Sequence, residues 1–159
     1  LHVGSNVLGK NNSIKRFVNN FNKLPDYLKK CIVIENDDKV FNVSDTLKIS
    51  DMINVPIVLD YHHYKCNKSD IDIKKIFNTW NIKPKLHFSS PKSKKNFRSH
   101  SDYINSDDFI EFIEFIKKYN TDVDIMLETK MKDEALFRLV RELKYKTNYN
   151  FIDDTSFEI

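Results

Sequence analysis

The chain has 159 residues, 40% of them hydrophobic and 31% charged, with a mean hydropathy of −0.53. That is one domain's worth of length with enough apolar side chains for a core, which excludes wholesale disorder. No apolar run approaches the ~18 residues of a membrane span, and no N-terminal stretch has the zones of a signal peptide. Lysine and arginine exceed aspartate and glutamate by only 26 to 23, so net charge decides little and its distribution matters more. Two cysteines, Cys31 and Cys66, cannot form a secreted-type disulfide framework and point to a reduced, cytoplasmic setting.

The first strand candidate is residues 1–3. The chain therefore begins inside an apolar stretch rather than at Met, which predicts that the natural protein continues upstream. Residues 13–22 read as a helix with Ile14, Phe17, Val18 and Phe21 on one stripe. Strand candidates 31–35 and 55–60 are near-continuous apolar runs, as expected of strands covered on both faces; Pro56 is tolerable near a strand start. Between them Ser44 is expected to cap a helix carrying Leu47, Ile49, Met52 and Ile53. Ser69 is expected to cap a run with Ile73, Ile76, Phe77 and Trp80, before a strand at 85–88. Ser106 opens a helix with Phe109, Ile110, Phe112, Ile113 and Ile116, followed by a strand at 123–128. The last helix, about 132–146, buries Ala135, Leu136, Leu139, Val140 and Leu143. These stripes are core faces. Cys31 is expected in the core and Cys66 as a buried free thiol.

Strand and helix alternate at intervals of roughly 25–40 residues, the pattern of a parallel sheet built from βα units. An open doubly wound sheet and a (β/α)8 TIM barrel both fit. With two glycines in the whole chain, no Gly-x-Gly-x-x-Gly turn is available for a dinucleotide. Five strands are visible, whereas a closed barrel has eight in roughly 250 residues. Residues 1–159 are therefore expected to be the C-terminal five or so βα units of one α/β barrel domain, lacking the front strands.

The informative residues lie at the strand ends. Each strand candidate ends in a metal-ligand type: His2, Glu35, Asp60 with His63, His87, and Glu128; His100 lies in the loop after His87. In a parallel barrel these ends converge on one mouth. A single acid there is ordinarily the N-cap of the next helix, and a single histidine is ordinarily a packing residue. Five strand ends at once, with apolar runs terminating directly in Glu35 and Glu128, instead predict a multinuclear cation site. Mixed imidazole and carboxylate without thiolate suits Zn, Mn or Fe better than Ca or Mg alone.

No acidic residue occurs from Ile73 through Ser101, while Lys74, Lys75, Lys83, Lys85, Lys92, Lys94, Lys95 and Arg98 all fall there. The loop holding Lys92, Lys94, Lys95, Phe97 and Arg98 leaves the strand that carries His87. It could grip a phosphate backbone, with Phe97 against a base or sugar; in isolation it would also serve as a solvated lysine-rich loop.

With these blocks in view, the sequence resembles the UV damage endonucleases, metal-dependent DNA repair enzymes with a (β/α)8 barrel related to endonuclease IV. The resemblance rests on Leu1-His2-Val3-Gly4, Ser13-Ile14-Lys15-Arg16-Phe17, Ile34-Glu35-Asn36-Asp37-Asp38 and Val55 through His63. It continues through Lys85-Leu86-His87-Phe88-Ser89-Ser90, His100 through Ile104, and Asp124 through Lys130. It implies that His2, Glu35, Asp60, His63, His87, His100 and Glu128 hold up to three divalent metals, manganese foremost with zinc or magnesium as alternatives. Glu35 would be the bridging carboxylate, and Glu35, Lys85 and Glu128 the catalytic set. The implied substrate is double-stranded DNA containing ultraviolet lesions, cut immediately 5′ to the photoproduct by metal-assisted hydrolysis. Lys92, Lys94, Lys95 and Arg98 would contact DNA. The protein would act as a cytoplasmic monomer without a membrane, nucleoid-associated if bacterial. Alternatives are a sugar isomerase or epimerase of the same architecture, and a catalytically inactive fragment that only binds DNA or a partner.

Lys85 lies two residues before His87 on the same strand face. An ammonium directed into a cation cluster is unfavourable. Lys85 is therefore expected to deprotonate, to turn toward a phosphate or, as the favoured outcome, to become a carbamate ligand by reaction with CO2.

Overall fold

The computed structural model describes residues 1–7 and 9–159. They divide into two compact units, residues 1–87 with 122–124, and residues 88–121 with 125–159.

The first unit contains α1 (Lys10–Asn22), α2 (Asp26–Lys29), β1 (Ile34–Glu35), α3 (Val43–Ile53), β2 (Ile57–Asp60), α4 (Tyr61–Cys66), α5 (Ile73–Phe77) and most of β3 (Lys85–Phe88). β1 and β2 are parallel with Glu35 opposite Val58, and β2 and β3 are parallel with Asp60 opposite His87. That register puts the ends of neighbouring strands side by side. Residues 1–3 form no assigned strand, yet Leu1 follows β1, donating to the Val33 carbonyl at 3.0 Å and accepting from Glu35 N–H at 3.1 Å. Every residue of β2 is buried, as its unbroken apolar run requires. Ile34, Ile49, Ile57, Leu59, Ile73, Ile76 and Leu86 complete the core with almost no exposure.

Helix starts in this unit differ from expectation. α3 is capped by Asn42, not Ser44. Asn42 accepts from Asp45 N–H while the Asp45 carboxylate accepts from Asn42 N–H, a capping box that satisfies two donors otherwise orphaned at a helix start. Lys10 reaches the same Asp45 carboxylate at 2.7 Å and ties α1 to α3. Likewise Asp72, not Ser69, caps α5. The strand expected at 31–35 is shortened because Cys31 and Ile32 N–H groups bond back to the turn of α2. Cys31 is consequently exposed rather than in the core, with its thiol on the Tyr27 carbonyl at 3.3 Å. Cys66 is half-buried.

The second unit contains α6 (Ser106–Lys117), most of β4 (Asp124–Leu127), α7 (Lys132–Lys146) and an antiparallel hairpin of β5 (Asn150–Phe151) and β6 (Phe157–Glu158). α6 is capped by Asn105, whose side chain accepts from Asp107 and Asp108 N–H. Phe88 stacks on Phe112 at 4.9 Å and meets Phe109 edge-on at 5.2 Å. Lys146 at the end of α7 holds Asp107 at 2.7 Å. The strand order is β1-β2-β3-β4, and the alternation of parallel strands with helices is that of a TIM-barrel-type α/β fold. No helix among the described residues is long and apolar enough to cross a membrane.

Candidate metal centre

β1 ends in Glu35, a carboxylate that the sheet buries to 7% exposure. A lone buried carboxylate is unfavourable unless paired, and here three imidazoles surround it. His87 Nδ1 lies 3.3 Å and His63 Nδ1 3.5 Å from Glu35 Oε1, and His2 Nε2 lies 3.7 Å from Oε2. Asp60 closes β2 with no exposure and caps α4, its Oδ1 accepting from His63 N–H at 2.7 Å. Starting the helix directly on the strand end is what turns His63 back over Glu35, with Nδ1 3.6 Å from Asp60 Oδ2. One ligand atom each from His2, Glu35 and His63 fits within 4.8 Å, and so does one each from Glu35, Asp60 and His87.

Burial alone would raise the Glu35 pKa, but hydrogen bonds and charge from His63, His87 and His2 reverse this and hold it far below the usual carboxylate range. Burial would lower His63, yet bonding to Glu35 and the charges of Asp60 and Glu35 push it up to about 9. The centre thus compensates its buried carboxylates with a proton on the His63 imidazole. Divalent cations fit the same donors: mixed nitrogen and oxygen, no thiolate, and anionic charge in excess once the imidazoles are neutral.

That exchange of proton for cation has a sign. A raised His63 pKa adds stability that is complete below 6.5 and lost as pH rises through about 9; a shift of that size is on the order of 3 kcal/mol, shared with Glu35. The depressed Glu35 adds stability present above about 4.5 and lost on acidification. The metal-free chain should therefore lose stability between pH 7 and 9.5 while its Mn2+ affinity rises. Titration calorimetry at pH 7.5 in buffers of different ionisation heat should show a proton released per His63 site filled. Buffer-independent heats would contradict the assignment.

In the second unit His100 Nδ1 faces Glu128 Oε2 at 3.6 Å. Glu128 is aligned by its N–H on the Phe88 carbonyl at 2.9 Å, and His100 closes the basic loop by a bridge to Pro91. Lys92, Lys94, Lys95 and Arg98 are all exposed on that loop.

Lys85 has a partner that its neighbours in sequence do not reveal. Its ammonium pairs with Asp124, the first residue of β4, and Lys83 approaches the same carboxylate at 3.8 Å. Its counter-charge is supplied by an acid 39 residues away in sequence.

Asn36 is the functional residue that sequence reasoning quoted without a role. It has no exposure. Its side chain donates to the Asp60 carbonyl at 2.9 Å and accepts from Asp60 N–H at 3.0 Å, while its own carbonyl lies 3.1 Å from His63 Nδ1. A polar residue directly after an apolar strand was the available signal.

The family model described as "UV-endonuclease UvdE" matches residues 1–158. Over 150 residues the chain is 45% identical to the UV DNA damage endonuclease of Bacillus cereus (strain G9842), covering 90% of this chain and 47% of that protein. It is 42% identical to the protein of that name from Bacillus anthracis (strain A0248), with the same coverage. The solved structure "Crystal Structure of SacUVDE" superimposes with a TM-score of 0.80 at 36% identity, covering 91% of this chain and 50% of that one. The chain thus spans about half the length of the curated relatives it matches.

Proposed function

The chain belongs to the UV-endonuclease UvdE family, and from that premise we propose that it is part of a metal-dependent endonuclease hydrolysing the DNA phosphodiester 5′ to ultraviolet photoproducts. The observation that carries this reading is the buried Glu35 carboxylate surrounded by imidazole nitrogens of His2, His63 and His87 at 3.3–3.7 Å. Glu35 would be the shared carboxylate ligand of the cations, with His2, Asp60, His63 and His87 as further ligands. His100 and Glu128 would be the ligand pair that the second unit offers. Manganese is the favoured cation, zinc or magnesium the alternatives. Bound divalent cations supply Lewis acidity, acidifying water and offsetting phosphate charge. The chain's own residues fix the donors: Asp60 orients His63, and the Asn36 carbonyl and Glu35 hold its Nδ1. Lys85 enters as a catalytic residue if its neutral amine, released from Asp124, adds CO2 with loss of one proton to give a carbamate. The protein works as a cytoplasmic monomer on double-stranded DNA.

The test is nicking of ultraviolet-irradiated plasmid by the full-length protein carrying this sequence. Cutting at lesions should require Mn2+ and stop on chelation; chelation-resistant cutting would overturn the metal reading, and absence of lesion-dependent cutting would overturn the substrate.

The basic loop makes a second, separable prediction. Lys92, Lys94, Lys95 and Arg98 release counterions on contacting phosphates, and each contact contributes roughly 0.9 to the log–log salt slope of binding. Replacing all four by Ala should lower the slope by up to roughly 3.6 units on that figure. An unchanged slope and affinity would make the loop a solvated surface only.

A further inference from the structure

The segments carrying His100 and Glu128 are fastened together by a clasp centred on Tyr103. Three residues past His100, Tyr103 donates its phenolic hydrogen to Glu134 Oε1 at 2.7 Å. The Arg138 guanidinium lies over the same ring, 4.8 Å from its centroid. Glu134, Arg138 and Glu142 succeed one another by single turns of α7, and Arg138 Nε donates to Glu142 Oε1 at 2.9 Å, which fixes the guanidinium over the ring. Next to Tyr103, the Asp102 carbonyl accepts from Met131 N–H at 3.2 Å, and its carboxylate lies 3.4 Å from the Lys130 ammonium. Residues 102–103 are therefore bound to residues 130–138, a stretch that begins two residues after Glu128. On the other side of His100, Ser101 N–H donates to the Ser90 carbonyl at 2.8 Å.

Stability alone does not account for this arrangement. The charged partners are exposed, apart from the half-buried Glu142, and exposed ion pairs are worth about 0–1 kcal/mol. What the clasp does determine is geometry. It joins the loop that ends in His100 to the strand end that presents Glu128, the two groups 3.6 Å apart. Lys132, inside the fastened stretch, takes a φ of 43°, a left-handed conformation unfavourable for a lysine and kept only where surroundings fix the backbone.

We propose that Tyr103 is a positioning residue that sets His100 against Glu128 for cation binding. The proposal rests on the reading of His100 and Glu128 as ligands, and the test separates the two. Mn2+ binding to the chain is followed by the free-ion paramagnetic resonance signal, beside thermal unfolding of the metal-free chain, for Tyr103→Phe, Glu134→Gln, His100→Ala and Tyr103→Phe/His100→Ala. Tyr103→Phe keeps the ring under Arg138 and removes only the hydroxyl. It should weaken the affected Mn2+ site by about tenfold, the lower end for residues that orient a metal ligand, with little change in unfolding temperature. Glu134→Gln retains an acceptor and should remain near wild type. The double variant should bind no more weakly than His100→Ala, because Tyr103 acts only through that imidazole. Unchanged Mn2+ affinity in Tyr103→Phe, or losses that add in the double variant, would overturn the positioning role while leaving the ligand reading intact. Unchanged affinity in His100→Ala would overturn the ligand reading and the proposal with it.

Discussion

Glu35→Gln is expected to lower Mn2+ affinity by more than about 100-fold, beyond the 10–100-fold typical of residues that only orient ligands, and to abolish nicking. The amide keeps the shape and one acceptor but carries no charge to offset a cation. The same change acts on the metal-free protein. His63 is pushed up to about 9 by its bond to Glu35 and by the charges of Asp60 and Glu35. Without the Glu35 carboxylate its pKa should fall back toward 6.5, and the alkaline loss of stability expected for the wild type should shrink. Far-ultraviolet circular dichroism should be unchanged, because the backbone bonds of Glu35 to Leu1 and within the parallel pairing with β2 do not involve its side chain. Wild-type metal content together with wild-type nicking would remove Glu35 from the centre.

The parts of this site that the sequence made legible are those whose chemistry coincides with a change of pattern. Apolar runs that stop abruptly at Glu35 and Asp60 announced strand ends, and strand ends in a parallel sheet lie together. The structure accordingly brings His2, Glu35, Asp60, His63 and His87 into one unit with donor atoms 3.3–3.7 Å apart around Glu35. The helix stripes were equally readable because the 3.6-residue period is local. What was not legible depends on partners distant in sequence. Lys85 looked like an isolated cation because Asp124 lies on another strand. Cys31 looked like a core residue because the turn of α2, with no strong periodicity over four residues, could not be foreseen to withdraw it from the strand. Ser44 and Ser69 lost their capping positions to Asn42 and Asp72, two and three residues away, a difference that propensity does not resolve. The β5–β6 hairpin alternates polar and apolar residues only over Asn148 to Phe151 and Ser156 to Ile159, runs at the four-residue lower limit of a strand signal; it is held by pairs such as Tyr149 on Phe157 at 5.0 Å.

Asn36→Leu is expected to cost about 2–6 kcal/mol of stability, from the 1–3 kcal/mol for each of two buried polar groups left unpaired. Regular pairing of β1 with β2 is assigned through Glu35 and Val58, yet Asp60 must be held in a dry position for its carboxylate to meet His63. Asn36 does this by presenting an amide that mimics a further backbone link, giving and receiving one hydrogen bond to Asp60 at 2.9 and 3.0 Å. Leucine has a similar volume and leaves no cavity of consequence, so the loss reports the two orphaned Asp60 groups rather than packing. Asn42→Ala supplies the scale: removal of an N-cap should cost about 1 kcal/mol, and urea unfolding of the metal-free chain should rank Asn36→Leu well above it. Because the lost bonds also fix the backbone that aims Asp60 at His63, Mn2+ binding should weaken in the same variant by about 10–100-fold. A stability loss no greater than that of Asn42→Ala would mean that water replaces the amide and that Asp60 is held by the sheet alone. A stability loss without any change in metal affinity would separate the fold of this strand end from the ligand geometry, and would leave the Asp60-to-His63 hydrogen bond at 2.7 Å as the element that orients the imidazole.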